Sequence, residues 1–202
     1  SKVIGHGVDP DWLTYDIKKR ATNPRKISVV GRIRKAKGQR DVMEAIAPLL
    51  SQNPNWEIQF IGTIDRPAYA DEIRAIAAAA QVENQIQFVS QTNQIEHYYQ
   101  ESTAVVVASY SEGFSLVCIE AMACGSTTVA TEQVGIHSEV ITHGVDGFLY
   151  PKGSITALRT ILEEVIQTPE KIDPKTARQT IVDHWSITTA AQKLFETYNQ
   201  LR

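Results

Sequence analysis

The chain has 202 residues, 43% hydrophobic and 21% charged, an ordinary globular balance that can bury one substantial core, with one domain as the default. No apolar stretch approaches the roughly 18 residues needed to cross a bilayer, and Ser1-Lys2-Val3-Ile4-Gly5-His6 lacks the apolar core of a signal peptide, so a cytosolic setting is expected. Net charge is only -3, yet residues 1–40 hold eleven of the twenty Lys and Arg against three acids, Asp9, Asp11 and Asp16; that end carries +8 and the remainder -11, which points to an anionic ligand.

In chain order, the first 20 residues read as irregular. A β-branched run at 27–30 is followed by an amphipathic stretch at 42–50, then a strand at 58–61 and a helix at 69–80. The rhythm continues with strands at 86–89, 104–108, 128–130 and 147–150, and helices at 94–101, 115–124, 137–142 and 154–167. Short apolar strands without in-out alternation imply a sheet buried on both faces, and intervening helices imply parallel crossovers. The fold class is therefore a doubly wound α/β parallel sheet. After Pro169 the register changes: Pro174 fits the first turn of a helix to about residue 183, and Ser186 can cap a final helix to about 201. No repeat or Gly/Ser linker marks a second domain.

Cys118 and Cys124 match neither a zinc nor a redox spacing and read as packing residues. His6, His97, His137, His143 and His184 show no ligand spacing, so no metal held by protein side chains is expected.

Two constellations carry chemistry. The first strand runs into Gly31-Arg32-Ile33-Arg34-Lys35-Ala36-Lys37-Gly38, and with Arg40 it offers five cations in nine positions where ligands of open α/β sheets bind. It reads as a pyrophosphate clamp, with a solvated basic loop as the plain alternative. Neither a Gly-x-Gly-x-x-Gly fingerprint nor a P-loop is present. The second is Glu112-Gly113-Phe114-Ser115-Leu116, after strand 104–108. A helix starting near Ser115 would aim the free N–H groups of Phe114, Ser115 and Leu116 above the sheet, where they favour an anion. Gly113 permits close backbone approach, and Glu112 and Glu120 can each accept two hydroxyls of a ribose or hexose.

From Glu112 through Ala121-Met122-Ala123-Cys124-Gly125 the chain resembles the retaining glycosyltransferases of family 4 (group 1), whose signature is Glu-Gly-Phe-x-x-x-x-x-Glu-Ala-Met-Ala-x-Gly. Gly31-Arg32 with Lys37-Gly38, the opening Gly7-Val8-Asp9, the segment 144–149 and the tail from Trp185-Ser186 to Tyr198 share the likeness. The resemblance implies a Rossmann-like C-terminal half of the two-domain GT-B fold, in which a hexose moves from a UDP-, GDP- or ADP-linked sugar to an acceptor hydroxyl with no cofactor. By it, Arg32 and Lys37 bind the diphosphate in place of a metal, Glu112 with the amides of Gly113, Phe114 and Ser115 grips the sugar and distal phosphate, and Glu120 holds the ribose. Gly62 and Thr63 border the nucleotide, and main chain near Phe88 and Val89 reads the base.

The resemblance also implies an organisation. Residues 1–20 would be linker from an N-terminal acceptor domain outside this chain, 21–183 the nucleotide-sugar-binding domain, and 184–202 a helix packing toward the other half. Any peripheral membrane contact would belong to that half, and this chain alone should bind donor but transfer little. Departures are Ala108-Ser109 for Pro-Ser, Ser126-Thr127 where a proline is common, Val134-Gly135-Ile136 for paired glycines, His137-Ser138-Glu139 where Pro-Glu is frequent, and His6 for asparagine. The rival readings are a nucleotide-sugar 2-epimerase and a non-catalytic nucleotide-binding module. Nucleic acid is disfavoured because residues 25–40 contain no aromatic.

Overall fold

A computed structural model describes residues 7–17 and 24–200; the expectations placed on His6 and on residues 18–23 fall outside them. Six strands, β1 (Lys26–Val30), β2 (Glu57–Ile61), β3 (Ile86–Val89), β4 (Ala104–Val107), β5 (Thr127–Thr131) and β6 (Phe148–Tyr150), form one sheet in the order β3-β2-β1-β4-β5-β6. All five pairings are parallel. The fold is thus the doubly wound α/β sheet expected from the pattern, and β4 and β5 are buried at every residue because helices cover both faces.

The described residues form the α-helices α1 (Gln39–Gln52), α2 (Pro67–Ala79), α3 (Ile95–Gln100), α4 (Leu116–Ala123), α5 (His137–Val140), α6 (Ile155–Gln167), α7 (Pro174–His184) and α8 (Ile187–Gln200). Packing of α1 against α2 and α6 makes one layer, and packing of α4 against α3 and α7 makes the other. Caps appear where the residue types call for them: Ser154 Oγ accepts from Ala157 N–H at 3.3 Å, Asp173 from Lys175 N–H at 3.0 Å and Ser186 from Thr189 N–H at 3.2 Å.

Helix α1 continues through Pro48, which has no N–H to offer the Glu44 carbonyl. That carbonyl and the one at Ala45 instead accept from the Arg159 guanidinium on α6, at 3.0 and 3.2 Å. An arginine of the neighbouring helix thereby satisfies the break and locks the α1–α6 seam.

The opening is more ordered than its sequence suggests. Asp9 caps a turn of 3-10 helix at Pro10–Leu13, and Trp12 packs on Tyr15 and Tyr99 with ring centroids 5.8 Å away in each case. Arg178 of α7 donates to the carbonyls of Leu13 and Tyr15. Val8 is buried and forms a parallel bridge with Ser186, through Val8 N–H to Trp185 C=O at 2.7 Å and Ile187 N–H to Val8 C=O at 3.1 Å. Aromatic packing and a far-off arginine, neither visible as periodicity, organise these residues. Cys118 and Cys124 are free and buried, as packing residues should be.

Candidate functional site

Strands β1 and β4 are neighbours whose following helices, α1 and α4, leave toward opposite faces of the sheet. Such a reversal opens a crevice at the carboxyl ends of the two strands, and both constellations singled out in the sequence lie there.

Gly31 leaves β1 at φ +136°, and the chain then turns tightly to Gly38 at φ +66°, which precedes α1. The buried Gln39 side chain threads back, donating to Arg32 C=O at 2.9 Å, which fixes the loop from within. The far end of the loop is sewn to β4: Tyr110 N–H donates to Ala36 C=O at 2.9 Å, and a Cβ on Gly38 would stand only 2.1 Å from Ala108 O.

This seam brings Lys37 to Glu112. Lys37 Nζ lies 2.6 Å from Glu112 Oε1, with the side chains 17% and 13% exposed, and Ser109 Oγ donates to the same oxygen at 2.5 Å. Glu112 Oε2 carries no hydrogen bond among the described residues. Arg32, Arg34 and Lys35 are exposed and form no ion pair among the described residues. Of the five cations, Arg40 is turned to Glu44 and Glu72, at 2.8 and 3.9 Å, acids of α1 and α2 that flank it.

Beyond Glu112, Gly113 has open space on its Cβ side. Phe114 packs on Trp185, ring centroids 6.0 Å apart, and Ser115 adopts a left-handed conformation (φ 72°, ψ 64°) before α4 begins at Leu116. Leu116 is exposed at the mouth of the crevice. Gly135, in the loop after β5, sits against this turn, its Cβ position 3.1 Å from Glu112 Cβ.

Glu120 is half-buried one turn into α4, and its Oε2 accepts from the wholly buried Tyr99 hydroxyl at 3.0 Å. Oε1 carries no hydrogen bond among the described residues. Both carboxylates therefore share one design, in which one oxygen is fixed by the protein and the other is left to accept. Gly62 continues β2 at φ +145°, so close to the β1 loop that a Cβ would meet Gly31 O at 2.4 Å. Thr63 is tied to Gln91 at 3.1 Å. The Phe88 ring is stacked on Phe60, 5.3 Å between centroids, with Arg74 above it, so its side chain is a packing element. Val89 C=O accepts from Gly62 N–H; strand alternation then turns the main-chain groups of Phe88 to the open edge of the sheet.

The profile of the family described as Glycosyl transferases group 1 matches residues 14–180. The chain belongs to this family. It is 30% identical over 176 residues to the lipopolysaccharide core biosynthesis mannosyltransferase LpcC of Rhizobium leguminosarum bv. viciae, covering 83% of this chain and 50% of that protein. It is also 30% identical over 148 residues to the D-inositol 3-phosphate glycosyltransferase of Frankia alni, covering 69% of this chain and 36% of that protein. Among solved structures, Anabaena Alr3699/HepE in complex with UDP matches with a TM-score of 0.81 at 24% identity, over 96% of this chain and 56% of that one. The C-terminal domain of the group 1 protein LpcC from Francisella tularensis matches with a TM-score of 0.75 at 25% identity, over 86% and 99%. The chain spans about half the length of the curated relatives it matches.

Three residues of this crevice escaped the sequence reading as site residues. Ser109 carried a signal in standing three positions before Glu112. Tyr99, the partner of Glu120, stands 21 positions away and gave none. His137 was visible as a departure from the family pattern and as one of the histidines without ligand spacing, yet it is fully buried beside Ser115.

Burial raises the Glu120 carboxyl above its ordinary value of 4.5, partly offset by the hydrogen bond from Tyr99. The folded state therefore holds a proton on Glu120 more readily than the unfolded chain does, and stability from this group falls as pH rises from 4.5 through the folded value. Glu120→Gln, which keeps an oxygen for Tyr99 and removes the charge, is expected to raise Tm at pH 7 by about 2–4 °C, roughly 1 kcal/mol for a chain of this size. A calorimetric melt checks this, and a lower Tm would contradict it.

Proposed function

We propose that this chain is the donor-binding half of a retaining family 4 glycosyltransferase that moves a hexose from a nucleotide diphosphate sugar to an acceptor hydroxyl. The observation that carries the reading is the pairing of Lys37 with Glu112 across the β1–β4 crevice, with one Glu112 oxygen fixed and the other without a hydrogen bond among the described residues. Further support comes from relatives that transfer sugars, and from Anabaena Alr3699/HepE, which binds UDP.

In this reading the bond between the anomeric carbon and the distal phosphate oxygen breaks, and the leaving nucleotide keeps the electron pair. Arg32 and the two remaining donors of the Lys37 ammonium stabilise the charge that builds on it, the part a metal plays elsewhere. The amides of Gly113, Phe114 and Ser115 at the start of α4 add to that field. Glu112 Oε2 accepts from a sugar hydroxyl, and Glu120 Oε1 accepts from the ribose. Gly62 and Thr63 border the nucleotide, and the open main-chain edge at Phe88, next to Val89, takes the base.

The acceptor site, together with any membrane-facing surface, is assigned to a second domain. Helix α8 supports that assignment by exposing Ile187, Leu194, Phe195 and Tyr198 at helical spacing, an apolar stripe that suits a packed neighbour.

Titration of the chain with UDP, GDP and ADP in EDTA, followed by calorimetry, tests the proposal. One diphosphate is expected to bind without metal. Glu120→Gln is expected to weaken that binding about 10-fold by removing a charged acceptor. Absence of binding by all three nucleotides to a chain with native circular dichroism counts against the reading.

A further inference from the structure

Behind the Glu112 turn lies a polar assembly that the proposed chemistry does not use. His137, in α5, is fully buried; Nδ1 lies 2.7 Å from Thr131 C=O and Nε2 lies 2.8 Å from Ser115 Oγ. A carbonyl can only accept, so Nδ1 carries the proton and Nε2 of the neutral ring accepts from the Ser115 hydroxyl. Thr131 Oγ1 in turn donates to Ser109 C=O at 3.0 Å, and the Ser109 hydroxyl holds Glu112. The end of β5 thus grips both ends of the turn 109–115.

Ser115 needs such a grip. It is one of two non-glycine residues with positive φ among those described, and a side chain in that region costs roughly 1–2 kcal/mol relative to glycine. The first amides of α4 point where they do only while Ser115 holds this conformation, and it makes no side-chain cap bond of its own. The Ser115–His137 hydrogen bond is the contact that fixes its hydroxyl.

We infer that His137 is a positioning residue: through Ser115 it sets the backbone amides of 113–115 and the Glu112 carboxylate for the distal phosphate and sugar of the donor. The inference rests on the donor-site reading above. A serine bonded to an oriented histidine is also the arrangement of an activated nucleophile. Here Ser115 is 7% exposed and its Oγ is directed to a ring with no exposure, so it is an anchor rather than an attacking group.

Burial holds His137 below its ordinary value of 6.5; the Thr131 carbonyl and Glu112 pull the other way and Lys37 opposes protonation. The unfolded chain therefore takes up the proton first, and stability from His137 is lost as pH falls below about 6.5.

The test uses His137→Phe, which fills the space without hydrogen bonds, and His137→Gln, whose amide oxygen can accept from Ser115. Wild type and variants are titrated in EDTA with UDP and UMP, or with the guanosine or adenosine pair if wild type takes that base. A monophosphate lacks the distal phosphate, so it reports only on the part of the site that His137 does not set. The expected result is a loss of about 10-fold in diphosphate affinity for His137→Phe, recovery to within about 3-fold in His137→Gln, and monophosphate affinity unchanged within about 2-fold.

Backbone amide shifts of residues 113–116, followed by NMR from pH 7 downward until the ring itself has titrated and without nucleotide, should move with the His137 ring in wild type and lose that movement in His137→Phe. This second readout holds even if the donor assignment fails. Equal loss of both nucleotides, wild-type diphosphate affinity in His137→Phe, amides blind to the ring, or labelling of Ser115 by a fluorophosphonate would each overturn the inference.

Discussion

Lys37→Met should lose about 30-fold or more in metal-free affinity for the nucleoside diphosphate, the largest binding effect expected of any single substitution in the site. Two losses combine. The incoming phosphates lose a cation, and Glu112, 13% exposed, keeps the Ser109 hydroxyl as its one partner among the described residues while facing an anion at close range. Truncating one member of a buried charge pair at a binding site costs about 2–5 kcal/mol, which is ~30-fold to several thousand-fold. Methionine keeps the stem that packs beside Gly31, so the effect reads the charge and not a cavity. Arg32→Ala removes an exposed guanidinium that forms no ion pair among the described residues and should cost less, roughly 10- to 100-fold. If Lys37→Met,Glu112→Gln recovers part of the loss, repulsion by the stranded carboxylate accounts for that part. Calorimetry in EDTA decides the matter, and a Lys37→Met chain within about 3-fold of wild type would remove Lys37 from the donor site.

Gly38→Ala should be the most destabilising single-methyl change near the site, by about 4 kcal/mol or more, lowering Tm by roughly 8–16 °C. The methyl would stand 2.1 Å from Ala108 O at φ +66°. The left-handed conformation alone accounts for about 1–2 kcal/mol of that. The rest comes from main chain on both sides of the overlap, since neither the β1 loop nor the end of β4 can yield without parting the seam that holds Lys37 to Glu112. Gly113→Ala is the matched comparison. Nothing lies within 4 Å of its Cβ position and its φ is not positive, so stability should change by less than about 0.5 kcal/mol. Its methyl instead enters the space proposed for the donor and should weaken binding. Urea unfolding of the two variants separates a glycine required by packing from one required by a ligand.

The sheet was readable because buried parallel strands are short apolar runs, and the runs at 27–30, 58–61 and 86–89 lie within a residue of the strands that form. Helix α1 begins three residues before its apolar pattern, since its first turn is Gln39-Arg40-Asp41 and the burial of Gln39 depends on the loop it ties. Pro48 lies inside the expected helix, and only the Arg159 contact from α6 explains why the helix tolerates it. At the site, the two loops were legible from glycine, charge and the spacing of Glu112 and Glu120. Their supports were not. Tyr99, Thr131 and His137 act through hydrogen bonds between segments far apart in sequence, and a pattern search along one chain does not see which strands become neighbours.

Gly7 packs so tightly on the start of α8 that a Cβ would lie 2.3 Å from Ile187 N, and the Val8–Ser186 bridge follows at once. The chain's early segment and its last helix are therefore laid side by side and coupled in shear. Pulling either one along its length loads the 2.7 Å and 3.1 Å hydrogen bonds together rather than one after the other. Bending about the line these two segments share strains neither bond, whereas sliding one past the other must first break both.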